Sequence, residues 1–199
     1  MRILLTGHPT EASREVIRDH LFACVAIEDG GIVTPATGRE LLEAGLGGEE
    51  ALELALASLR RGSRPEDLQH VDTLPGLRFM KVEDGLAASR LMLLPELFDP
   101  MPLGGLVVAV PEPQQLLCVP MDSATAIDGL QALASAVGHL EATREHLLSD
   151  QLFWFDGTRW GPIPVHHGDD DITVLPPPDF LRMMSRLASM DWVQVAGEA

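Results

Sequence analysis

Residues 106–120 read Leu-Val-Val-Ala-Val-Pro-Glu-Pro-Gln-Gln-Leu-Leu-Cys-Val-Pro, and this stretch decides the fold. Two short apolar runs flank the turn Pro111-Glu112-Pro113-Gln114, whose prolines suit a turn and bar a helix from passing through it. The pair reads as the central hairpin of a mixed sheet. Beyond it, Ile127, Leu130, Ala134, Val137 and Leu140, with Leu133 alongside, share one side of a helical pattern over 123–148. That spacing predicts a long helix laid across the sheet.

Toward the C-terminus, Leu152-Phe153-Trp154-Phe155 and Arg159-Trp160-Gly161-Pro162-Ile163 enclose Asp156-Gly157 and read as a second hairpin. Residues 172–175 suit a last strand. After Pro176-Pro177-Pro178, Asp179 starts a helical pattern through Phe180, Met183, Met184 and Leu187. Toward the N-terminus, Ala87, Ala88, Leu91 and Leu94 predict a helix ending near Pro95, and residues 77–82 a strand. The clearest amphipathic pattern is 49–61, where Leu52, Ala55, Leu56 and Leu59 form one stripe. Its first turn carries Glu49 and Glu50 and its last Arg60 and Arg61, matching the helix dipole.

A short helix is expected from Thr37 or Gly38 to Ala44, stopped by Gly45, with Ile32-Val33-Thr34 extended before it. Residues 1–6 suit a strand. From Thr10, the pairs Val16/Ile17, His20/Leu21 and Cys24/Val25 recur every four residues and predict another helix. The expected fold is α+β: a mixed, largely antiparallel sheet, a long helix across one face, and smaller helices toward the N- and C-termini. Residues 1–199 read as a single domain, with 1–30 a strand–helix appendage on a 31–190 core.

Hydrophobic residues make up 46% of the chain and charged residues 22%, which is the composition of a folded domain rather than a disordered one. No apolar run approaches the roughly 18 residues that span a bilayer. The opening apolar run is shorter than the roughly 7–15 residues of a signal-peptide core, so a cytoplasmic protein is expected. The net charge is −16, and Lys81 is the only lysine. Such a charge repels nucleic-acid phosphates and anionic lipid headgroups. It leaves another protein, including a basic one, as the expected partner, and the 180–190 stripe suits a second copy of the chain. Cys24 and Cys118 sit in apolar settings and read as inert buried thiols.

In order and spacing, the chain resembles the bacterial YtpQ-like family over about residues 32–180. The matching features begin with Val33-Thr34 before the Gly45-anchored helix and Glu50-Ala51-Leu52 through Ala57-Ser58-Leu59. They continue with Leu74-Pro75-Gly76, Asp84-Gly85 with Ala88-Ser89-Arg90-Leu91, and Val107-Val108-Ala109-Val110-Pro111 before Gln115-Leu116-Leu117. They end at Leu152-Phe153-Trp154 with Trp160. Members have Arg-Asp after the sheet proline where this chain has Pro113-Gln114. The resemblance implies a mixed α/β fold and the bacterial cytoplasm. It implies no reaction and no catalytic residue.

Two clusters remain as candidate sites. Trp154 and Trp160 flank a hairpin turn, and tryptophan suits binding hot spots through its large area and single polar handle. His166, His167, Asp169 and Asp171 offer nitrogen and oxygen metal donors around Gly168. Gly7-His8-Pro9-Thr10, between an expected strand and an expected helix, resembles an anion-binding turn but lacks a phosphate loop's two glycines and lysine. No Gly-x-Ser-x-Gly, His-Glu-x-x-His or phosphate-loop pattern occurs, and no motif implies a cofactor. The leading expectation is a non-catalytic protein-binding module. The alternative is a metal-binding protein or metal-dependent hydrolase using the 166–171 loop.

Overall fold

The computed structural model describes residues 1–74, 76–141, 147–168 and 172–197. Its first 35 residues are strands: β1 (Arg2–Thr6), β2 (Ser13–Ile17), β3 (Leu21–Asp29) and β4 (Ile32–Pro35). The helix expected from Thr10 is absent. Thr10 caps nothing; the Ser13 hydroxyl instead closes the turn, accepting from Thr10 N–H and donating to Thr10 C=O, both at 2.9 Å. Arg18-Asp19-His20 then reverses the chain, with Asp19 at φ +62°. Long-range pairing overrides the fourfold recurrence of apolar residues: Cys24 meets Leu4 on one neighbour and Ser13 on the other. Ala26 likewise pairs with Arg2 and with Pro35, so the sheet continues through Gly30-Gly31 into β4. The strand–helix reading of residues 1–30 is therefore corrected to strands of a sheet that also includes residues 32–35.

Helices α1 (Gly38–Glu43) and α2 (Gly48–Arg61) follow as the pattern predicts. Thr37 and Glu40 form a reciprocal capping box on α1, and Gly45, at φ +73°, ends it. Ala51, Leu52, Ala55 and Leu59 bury the inner stripe of α2. Then come β5 (Leu68–His70), a strand not read in the sequence, and β6 (Arg78–Met80). Residues 87–93 form a 3-10 helix that runs into α3 (Leu94–Leu97). At the far end of α2, Arg60 grips Glu96 with two bonds of 2.6 and 2.7 Å, which hold the Glu96 carboxyl below the usual carboxylate range.

The quoted stretch forms β7 (Leu106–Ala109) and β8 (Leu117–Pro120). Helix α4 (Ala126–Glu141) is shorter than the 123–148 expected, and residues 142–146 lie outside those described. Strands β9 (Leu152–Phe155) and β10 (Trp160–Ile163) make the second hairpin. A small ribbon pairs β11 (Val165–His167) with β12 (Ile172–Val174), before α5 (Pro178–Gly197).

The main sheet runs β10-β9-β7-β8-β6-β5. Every pairing in it is antiparallel, where a mixed, largely antiparallel sheet was expected. The α+β class holds. One face of the sheet, with Val107, Ala109, Val119 and Trp154, packs on Leu130, Leu133, Ala134 and Val137 of α4 and Phe180 and Leu187 of α5. The other face, with Leu106, Val108, Phe153 and Phe155, shares a core with Ile3, Leu5, Leu21, Leu52, Leu91 and Leu94. Being covered on both faces explains why β7 is apolar at every position instead of alternating.

A buried polar lock joins three elements within that second core. The Ser89 hydroxyl donates to Ile3 C=O of β1 at 2.8 Å. Arg90, 2% exposed, reaches Ser63 Oγ (3.1 Å), Asp84 Oδ1 (2.7 Å), Leu86 C=O (3.0 Å) and Gly62 C=O (3.3 Å). The guanidinium thereby ties the end of α2 to the loop before residue 87. Asp84, Ser89 and Arg90 are among the residues that carry the family resemblance.

Candidate functional site

The β9–β10 turn is closed by Asp156. Its Oδ1 accepts from the backbone N–H groups of Thr158 (2.8 Å) and Arg159 (2.9 Å), while Gly157 takes φ +96°. Burial pushes the Asp156 carboxyl up, but these amides and the Arg159 guanidinium outweigh it and hold the group below its ordinary value. Arg159 bridges Asp156 at 3.2 Å and Asp179, in the first turn of α5, at 3.6 Å. Arg182 also pairs with Asp179. Arg186 follows one turn later and has no carboxylate partner among the described residues.

Asp156, Asp179, Arg182 and Arg186 wall an open cleft of about 440 Å³ that also takes in Leu103, Gly104, Trp154, Thr158 and Met183. Trp154 forms its floor. The indole is 8% exposed, its Nε1–H donates to Gly104 C=O at 2.8 Å, and it meets Phe180 edge-on at 5.3 Å. Gly104 lets α5 come close: a Cβ there would lie 2.7 Å from Met121 O and 2.5 Å from Met183 Sδ. Leu103, on the rim, is 75% exposed.

The register separates the two candidate tryptophans. Trp160 pairs with Phe155, and Trp154 with Gly161, so they occupy opposite faces of the hairpin. Trp160 is half-buried, its ring 4.9 Å from that of Phe155, and it packs with the core shared with β1 and β3. Only Trp154 reaches the cleft. The residues that complete it were missed because their partners lie on three separate segments. The Arg182/Arg186 spacing of four on a predicted helix was the one available signal.

His166 lies exposed on β11 opposite Thr173, and His167 is the next residue of the same strand, opposite Ile172. Asp169 and Asp171 lie outside the described residues. Among the described residues no three His, Cys, Asp or Glu side chains are grouped as metal ligands. The Gly7-His8-Pro9-Thr10 turn joins two strands, so it has no helix N-terminus to hold an anion. A second cleft of about 440 Å³ is lined by His8, Asp19, His20 and Asp150. His20 there leans edge-on against Phe153 at 5.5 Å.

Both cysteines are free and buried. Burial pushes the Cys118 thiol up to about 12, against a weaker downward pull from Arg78. Burial also raises Cys24. Since the thiolate is the nucleophile, neither cysteine should react with a disulfide reagent at neutral pH in the native protein. Both should react once denaturant is added, and a fast native reaction counted by absorbance would contradict their placement.

No family model matches the chain, and neither curated proteins nor solved structures give a match. Among the described residues no helix is long and apolar enough to cross a membrane.

Proposed function

We propose that this chain is a non-catalytic cytoplasmic module of the YtpQ-like family that binds another protein through the Trp154 cleft. The observation that carries the reading is the cleft itself: an indole floor held rigid by Gly104 and Phe180, a thioether wall, and Leu103 projecting from the rim. A rigid aromatic floor loses little conformational freedom on binding, and methionine adapts to the shape it meets. The carboxylates around it, Asp156 and Asp179, are engaged in turn closure and ion pairing. The YtpQ-like reading rests on the sequence pattern that includes Asp84, Ser89 and Arg90.

Leu103→Asp tests the reading. A substitution at so exposed a position should shift stability by no more than about 0.5 kcal/mol, so a binding change is separable from unfolding. Immobilised wild type should enrich a specific partner from an extract of the source cells, and Leu103→Asp with an unchanged melting temperature should lose it. Equal enrichment by both proteins, or none above a blank matrix, overturns the reading.

A further inference from the structure

We infer that the segment received by the Trp154 cleft is an acidic peptide with an apolar anchor, a carboxylate beside the side chain that covers the indole; this rests on the protein-binding reading above. The cleft is a local exception in a chain of net charge −16. Arg182 and Arg186 line it together with the carboxylates Asp156 and Asp179, and Arg159 reaches both carboxylates from beside the cleft, so the cluster holds three guanidiniums against two carboxylates. Both carboxylates are already engaged. Asp179 is shared by Arg159 and Arg182, and Asp156 is held by its own turn and by Arg159. Arg186 remains as a cation on the cleft wall with no carboxylate partner among the described residues.

The charge of the whole chain draws basic molecules from a distance, but salt screens that field beyond about 8–10 Å. Within the cleft the nearest groups decide. A lysine or arginine entering beside Arg186 meets a like charge while Asp156 and Asp179 are occupied. A glutamate or aspartate entering there completes the alternation Asp156–Arg159–Asp179–Arg182 and gives Arg186 its counter-ion. Guanidinium also offers the planar two-point contact that suits a carboxylate. The apolar half of the ligand follows from Trp154, Met183 and Leu103. The cleft's size, about 440 Å³, is that of a site for a few side chains rather than a broad flat interface.

The probes are two dye-labelled short peptides with one Leu-Phe-Leu centre, flanked by glutamates in the first and by lysines in the second. Fluorescence anisotropy with the full chain at low salt should show the glutamate peptide binding about tenfold or more tighter than the lysine peptide. Added salt should narrow the difference. Arg186→Glu, exposed and outside the core, should keep its melting temperature and lose or reverse the preference. Leu103→Asp should weaken the glutamate peptide at least about tenfold, as loss of an apolar anchor does. Equal binding of the two peptides, no binding of either, a lysine preference, or a preference that survives Arg186→Glu overturns the inference. The two claims fail separately. A partner enriched from extract through Leu103, yet retained by Arg186→Glu, ends the charge argument and leaves the binding module standing. Absence of any Leu103-dependent partner ends the binding module itself.

Discussion

Arg90→Met should lower the unfolding free energy by about 3 kcal/mol, the low end of the cost of removing one partner from a buried ion pair. Methionine fills much of the aliphatic volume but offers no donor. Asp84 Oδ1, Leu86 C=O, Gly62 C=O and Ser63 Oγ all lose the guanidinium that now joins them. The low end applies because Asp84 keeps two contacts, the Leu86 N–H at 3.0 Å and Arg2 at 3.5 Å. For a domain whose whole stability is about 5–15 kcal/mol, that loss is large. The double variant Asp84→Asn/Arg90→Met should cost less than the sum of the single changes, because the carboxylate left unpaired by the first change is gone. Arg90→Lys should recover little, since one ammonium cannot span acceptors on the α2 end and on the 84–86 loop together. Urea unfolding of the wild type, Arg90→Met, Asp84→Asn, the double variant and Arg90→Lys measures these differences. An Arg90→Met midpoint matching wild type would mean that the lock contributes nothing.

Gly105→Ala should be as damaging, by a different route. Gly105 has φ +79°, a conformation that strains an L-residue by roughly 1–3 kcal/mol. Its Cβ would also fall on the Phe155 carbonyl, deep inside van der Waals contact. The neighbouring strands cannot yield freely, because Met121 N–H donates to Gly105 C=O at 2.9 Å and Gly105 N–H to Pro102 C=O at 2.9 Å. Displacing packed backbone adds about 1–3 kcal/mol. A combined loss near 4 kcal/mol lowers Tm by roughly 10 °C for a chain of this size. Gly157→Ala separates the two causes: φ there is +96°, yet nothing lies within 4 Å of the added Cβ, so it should show only the strain. Equal shifts for both variants in a thermal melt would refute the steric part of the prediction.

The lock and the glycine approach show how unevenly the structure can be read from the chain. Helix α2 was legible end to end because its stripe, its acidic start and its basic finish are all encoded within 14 residues. The capping box at Thr37, the Asp156 turn and both main hairpins are likewise local signals that any isolated stretch displays. The N-terminal strands were not legible: Val16/Ile17 and Cys24/Val25 satisfy a helical spacing as well as an extended one, and pairing with Leu4 and Ser13 settled the matter. Ser89 and Arg90 read as two polar positions in an apolar helix. Their acceptors lie 86 residues away at Ile3 and 28 residues away at Gly62.

The candidate site follows the same division. Trp154 and Trp160 were visible as a pair about one turn, but their faces depended on a register that places Trp154 against Gly161. The cleft's arginines come from α5, Arg159 joins their ion pairs from just before β10, and Leu103 comes from the lead-in to β7. What the sequence determined alone is what neighbours along the chain can determine: helix caps, turn residues, apolar stripes and overall charge. Which surfaces meet, and so which side of each strand faces a partner, was decided only in three dimensions, because burial and pairing energies depend on residues that the chain keeps far apart until it folds.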